Sequence, residues 1–298
     1  MVTMILSKSY KMTLMAAGVI RGLMTLCVSF LLMGVGGFLN IPTASALTSP
    51  WVEAYGGKFR LVSTGETTPD GAKLAGLEFD LEPGWKTYWR YPGEAGIPPK
   101  LDFSGSTGLR DLEVLYPAPK RFHDGYSDSI VYNDHVILPI KIWPESDRAV
   151  VNLDLSLFVG FCEQVCVPVD GSVQLVIPAA AIRNRAVIEA VELAMNDLPT
   201  KADVASLFVE SLTPVVHSEH PYADVVVSAQ DQIKSIDLFA EGPGTQYIPV
   251  PKLVAINGGK ATFRLDLGRL QEGPAQIRLT IVNGDTAIER EITIDATN

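Results

Sequence analysis

The chain has 298 residues, with 24 basic against 34 acidic side chains and a formal net charge of −10. That balance disfavours nucleic acid and anionic membrane surfaces and suits a soluble exported protein. In chain order, Lys8, Lys11 and Arg21 precede an uncharged run from Gly22 to Asn40, followed by Pro42-Thr43-Ala44-Ser45-Ala46. A positive start, an apolar run and a small-x-small site read as a secretory signal over residues 1–46, cut after Ala46. Cys27 would leave with it, and 252 of the 298 residues would remain, room for two modest domains. No later segment is long and apolar enough to span a bilayer, so no stable membrane insertion is expected after cleavage.

From Trp51 to Ile177 the patterning is almost all β. Lys58–Ser63 and Leu74–Leu81 read as strands, Glu82-Pro83-Gly84 as a turn and Trp85–Trp89 as an aromatic strand. Tyr91–Pro99 carries two glycines and three prolines, and reads as a loop. Lys100–Phe103 and Leu112–Tyr116 are short strands, and Pro117–Ser127 reads as a second irregular loop. Val136–Trp143 is a strand whose Pro139, lacking a ladder donor, suits an edge or a bulge.

Next come Val151, Leu153, Leu155, Leu157, Val159 and Phe161 on one parity, with Asn152, Asp154 and Ser156 on the other. A second alternating run follows through Val165, Val167, Val169, Val173, Leu175 and Ile177. Period-two alternation of this length predicts two half-buried strands. Many short strands with turns between them predict a β-sandwich over residues 47–178.

Between the two runs lies Cys162-Glu163-Gln164-Val165-Cys166, with both cysteines on the polar parity. If Glu163–Val165 is a tight turn, the two face each other across a hairpin and can bridge on the outer face of the sheet. Two readings stand open. A bridge over so short a loop stabilises least, which favours exchange chemistry; the alternative is a local staple on a hairpin tip, in a non-catalytic β-sandwich binding or assembly module.

Residues 179–199 predict an amphipathic linker helix, with Val187, Val191, Ala194 and Leu198 at helical spacing before Pro199. β patterning resumes over residues 200–298 and predicts a second, smaller β-sandwich. Candidate strands are Ala223–Ser228, Ile233–Phe239 and Ala261–Leu267, and Asn283-Gly284 joins a hairpin between Gln276–Val282 and Thr286–Ile294.

At the level of motifs, Pro83-Gly84-Trp85-Lys86-Thr87-Tyr88-Trp89-Arg90-Tyr91-Pro92-Gly93-Glu94-Ala95-Gly96 resembles the signature of the N-terminal periplasmic domain of the thiol:disulfide interchange protein DsbD, in its ScsB-like branch. Tyr116–Phe122, Val136–Pro139 and Cys162–Pro168 continue the resemblance, which runs from about Trp51 to Ile177. It implies an immunoglobulin-like sandwich whose cysteine pair, here Cys162 and Cys166, receives electrons from a membrane-embedded donor and passes them to periplasmic thioredoxin-like proteins. It places Tyr88 beside the disulfide and a cap over the cysteines at Phe122–Tyr132. Gly125 stands where the better-known cap has a phenylalanine, so aromatic shielding falls to Phe122 or Tyr126. It implies no cofactor.

Which sulfur meets a partner is read two ways. Glu163 beside Cys162 favours Cys166 as the lower-pKa thiol, whereas the resemblance favours Cys162 as the partner-linked sulfur; the expectation follows the resemblance. No metal is expected. His123 and His135 lie near the cap and His217 and His220 far along the chain, and Met195 is the only methionine after the signal. Trp85 and Trp89 are expected in the core.

Overall fold

The computed structural model describes residues 47–180, 182–215, 218–230, 232–244, 246–271 and 273–295. The expected signal segment and His217 lie outside the described residues. The first strands are β1 (Val52–Ala54), β2 (Gly57–Thr67), β3 (Lys73–Leu81), β4 (Lys86–Gly93), β5 (Lys100–Asp102) and β6 (Leu109–Val114). Next come β7 (Lys120–His123), β8 (Asp128–Asn133), β9 (His135–Pro144), β10 (Val151–Cys162) and β11 (Cys166–Ile177). Helix α1 (Arg185–Asn196) precedes β12 (Leu207–Val215), β13 (Tyr222–Ala229), β14 (Ile236–Glu241), β15 (Lys252–Asn257), β16 (Lys260–Asp266), β17 (Pro274–Asn283) and β18 (Thr286–Asp295).

One sheet runs β1-β2-β3-β9-β6 and faces a second, β11-β10-β4-β8-β7, with β5 also pairing with β10. The odd-numbered apolar residues of β10 fill the space between them, together with Phe59, Leu77, Phe79, Trp85, Trp89 and Ile140. Burial of these side chains is the main stabilising term of the sandwich. A second core, built on Val225, Phe263, Leu265, Ile277 and Leu279, lies between sheets β12-β13-β16-β15 and β14-β17-β18.

Three local expectations change. Pro139 sits inside its sheet, between β3 and β6, not at an edge. The backbone N and C=O of an antiparallel strand residue point to the same neighbour. The Pro139 carbonyl accepts from Leu115 N at 2.8 Å, just beyond the end of β6, so its missing donor falls where that ladder stops. The second irregular loop is in fact mostly the β7–β8 hairpin. Its turn is held by the Asp124 carboxylate, which accepts from Tyr126 N and Ser127 N at 2.8 Å each. Helix α1 is shorter than 179–199, because Asn184 caps it by accepting from Ala186 N. The helix is docked as well: Val187, Val191 and Ala194 pack on Val62, Leu74 and Ile137 of β2, β3 and β9.

The two sandwiches meet along β4 and β7. Trp89 packs near Phe239, with ring centroids 5.9 Å apart. The Tyr91 hydroxyl donates to Ile248 O at 2.9 Å, and its ring stacks on Tyr247. Arg121 donates to Asp237 and to Asp128, which ties the β7–β8 hairpin to β14.

β3 and β9 are joined by His135 Nε2 and Glu78 Oε1, 2.9 Å apart, with Arg60 on the other Glu78 oxygen. The hydrogen bond to Glu78 raises the His135 pKa above its ordinary 6.5. Folding thus favours the protonated ring. Its contribution is fully present below about pH 6.5 and is lost as pH rises through the higher folded value. His135→Gln should flatten the fall in Tm between mildly acidic and mildly alkaline buffer. An unchanged slope would remove this pair from the account.

Candidate functional site

The cysteine hairpin grows from the β10–β11 ladder, which runs in unbroken register from Val151↔Ile177 to Cys162↔Cys166. Glu163-Gln164-Val165 closes it, and Cys162 and Cys166 form a disulfide with Cα atoms 4.2 Å apart. Phe161, on the inner parity, is fully buried in the core. Cys162 therefore projects from the outer face, as alternation demands.

That face is not open. β10 pairs on its other side with β4, where Cys162 stands opposite Lys86, and β4 pairs in turn with β8, where Tyr88 stands opposite Val131. Directly paired residues project from the same face, so Cys162, Lys86, Tyr88 and Val131 converge. Ile97, from the loop after β4, joins them, and Cys162 is only 2% exposed. Cys166, at the sheet edge, is exposed. The sequence placed both sulfurs within reach of solvent; the fold leaves that to Cys166.

The Tyr88 hydroxyl lies 3.0 Å from Cys162 Sγ and 2.9 Å from Cys166 Sγ. A disulfide sulfur carries no proton, so the hydroxyl donates, its one hydrogen shared between two acceptors. Burial, and then the charge of Asp124, raises the phenol pKa above its usual value, which keeps the hydroxyl a donor at neutral pH. The ring fits a slot between two glycines. A Cβ at Gly96 would come within 2.7 Å of ring carbons, and one at Gly160 within 3.0 Å. Both positions are glycine because the ring passes this close.

Lys86 completes the arrangement. Its ammonium donates to Glu163 O at 2.9 Å and to Cys162 O at 3.4 Å, and lies 4.0 Å from the centroid of the Phe122 ring. Burial lowers the Lys86 pKa, while the charges of Glu163 and Asp124 oppose the shift. Phe122, paired with Ser129 in the β7–β8 hairpin, thus rests on Lys86. Tyr126 is 96% exposed, so the shielding expected of it falls instead to Tyr88, Val131 and Ile97.

Among the described residues, the histidines do not converge on this site. His123 bonds Asp128 and His135 bonds Glu78. The backbone carbonyl of His220 accepts from the Ser218 hydroxyl. Trp85 and Trp89 are both core residues. Sequence reasoning missed Lys86, Gly96, Ile97 and Gly160. The signal for Lys86 and Gly160 was their parity, which becomes informative only once the β4–β10 register is known.

Residues 59–178 match the family model described as thiol:disulfide interchange protein DsbD, N-terminal. Residues 59–178 form a DsbD N-terminal-like domain. The crystal structure of the N-terminal periplasmic domain of ScsB from Proteus mirabilis superposes with a TM-score of 0.66 at 20% identity, over 84% of this chain and 99% of that chain. At that identity the likeness is one of fold, an immunoglobulin-like β-sandwich, and its coverage reaches beyond the DsbD N-terminal-like domain into the second sandwich. An endo-fucoidan hydrolase, MfFcnA9, from glycoside hydrolase family 107 aligns at a TM-score of 0.20 and 10% identity, over 72% of this chain and 34% of that chain; no argument rests on it. No curated protein matches the sequence. The matching family model is that of a thiol:disulfide interchange protein, and the Cys162–Cys166 hairpin lies within the matched residues.

Proposed function

We propose that the chain works in the periplasm, where Cys162–Cys166 takes electrons from a membrane-embedded donor and passes them to thioredoxin-like proteins. The observation that carries this reading is the unequal setting of the two sulfurs: Cys166 exposed, Cys162 buried, one tyrosine hydroxyl on both. A donor thiolate attacks Cys166 Sγ, the S–S bond breaks, and Cys162 leaves as a thiolate. The donor's second thiolate then attacks the mixed disulfide, releasing Cys166 and forming the donor's own disulfide. Two electrons pass to the pair, two protons are taken up as the thiols protonate, and the same steps in reverse reduce an acceptor. This assigns the partner bond to Cys166, reversing the expectation for Cys162, because an incoming protein must reach the sulfur it attacks.

Among the described residues no helix is long and apolar enough to cross a membrane. Loss of the signal after Ala46 would deliver the domain to an oxidising compartment.

In periplasmic extracts, Cys162→Ser should accumulate a mixed disulfide between Cys166 and a thioredoxin-like protein, and Cys166→Ser should trap little. The opposite pattern would return the partner bond to Cys162. Trapping by neither variant would leave the bridge a structural staple, and absence of the protein from the periplasmic fraction would overturn the compartment.

A further inference from the structure

Cys162 faces a difficulty that Cys166 does not. It must leave as a thiolate when Cys166 is attacked, yet it is 2% exposed among Tyr88, Val131 and Ile97. Burial in apolar surroundings disfavours the thiolate, and a thiol of higher pKa leaves more slowly. The donated hydrogen bond from Tyr88 offsets part of that cost, but it carries no charge.

Lys86 is the cation placed to supply the rest. It stands directly opposite Cys162 on the neighbouring strand, is itself 6% exposed, and donates to the carbonyls of Cys162 and Glu163. Among the described residues its ammonium forms no salt bridge, so its charge is not committed to a carboxylate. The Phe122 ring lies over it and limits its access to water. The other groups facing this corner work differently. Glu163 on the turn and Asp124 on the β7–β8 turn are negative and disfavour a thiolate. His123 is engaged with Asp128, and Lys120 lies on β7, two strands beyond β4. Cys166 is the second sulfur.

We propose that Lys86 is a positioning residue for disulfide exchange: it holds the Cys162–Glu163 backbone, and its shielded positive charge stabilises the Cys162 thiolate as it leaves. The proposal rests on the exchange reading for its purpose, but the charge pairing can be tested without any partner. An opposite charge within a few ångströms lowers an acid's pKa by about one unit or more.

The test uses Cys166→Ser, in which Cys162 is the only thiol of the mature chain. Its pKa is read from the ultraviolet absorbance of the thiolate as pH is raised. Lys86→Met, which keeps the apolar stem, should move the midpoint up by about one unit, and Lys86→Arg should restore most of the shift. Circular dichroism checks that each variant is folded; if Lys86→Met is not, Lys86→Gln takes its place. An unchanged midpoint, or equal midpoints for Met and Arg, would overturn the proposal. Trapping by Cys162→Ser is scored alongside. Trapping without a pKa shift removes Lys86 alone, and a shift without trapping upholds the pairing while overturning the exchange reading.

Discussion

Arg90→Met should destabilise the protein by about 3–5 kcal/mol, the range found when one partner of a buried ion pair is removed. Arg90 leaves β4 at the junction of the two sandwiches. It donates to Glu241 at 2.7 and 3.0 Å and to Glu289 at 2.5 Å. Both carboxylates are largely buried, at 15% and 13% exposure. Burial by itself would lower the guanidinium pKa, but the bonds and charges of Glu241 and Glu289 raise it above its usual value, so the cation persists at every working pH. Without it, Glu241 loses its partner and Glu289 keeps only the more distant Arg278 Nε, 3.8 Å from its other oxygen. The loss should appear as a lower midpoint in urea. Adding Glu241→Gln and Glu289→Gln to Arg90→Met should recover much of it, because the uncompensated charge and not the missing contact dominates the cost. A loss below about 1 kcal/mol, the worth of an exposed pair, would mean that water reaches this network.

Gly160→Val should cost about 1–3 kcal/mol, as overpacking does, and should also change the chemistry of the disulfide. Even a single Cβ at Gly160 would lie 3.0 Å from Ile97 Cβ and from the Tyr88 ring. The two further methyl-sized groups of valine cannot fit unless Tyr88 or Ile97 moves. In an ordinary strand the exchange would be mildly favourable, since valine suits a strand better than glycine. A loss of stability here therefore reports the slot. Displacement of Tyr88 breaks the hydrogen bond that its hydroxyl donates to the two sulfurs and opens the buried Cys162 to water. Reduction by a small dithiol should become faster than in the parent protein. A variant less stable but reduced at the parent rate would show that Tyr88 does not guard the bridge.

Much of this molecule was legible in the sequence where the signal is local. Alternation from Val151 to Ile177 predicted the β10–β11 hairpin, and the register confirms which parity faces the core. Asn283-Gly284 predicted the β17–β18 turn because its chemistry is contained in two residues. Other elements left no such mark. In β8, Ile130, Val131 and Tyr132 are all buried, because Ile130 meets the main core and Val131 the cluster beneath the disulfide, so the strand does not alternate. In β15, Leu253, Val254 and Ile256 are exposed on an edge strand, which hides it from a reading that seeks one buried face.

The site divides in the same way. Parity alone put Cys162 and Cys166 on the outer face, and their spacing let them bridge. Parity does not say what covers a face. The cover on Cys162 comes from Tyr88, Val131 and Ile97, residues brought to it by the β4–β10 and β4–β8 registers across large sequence separations. Those registers depend on how two sheets close over a shared core, and only the tertiary structure could make one sulfur buried and the other exposed.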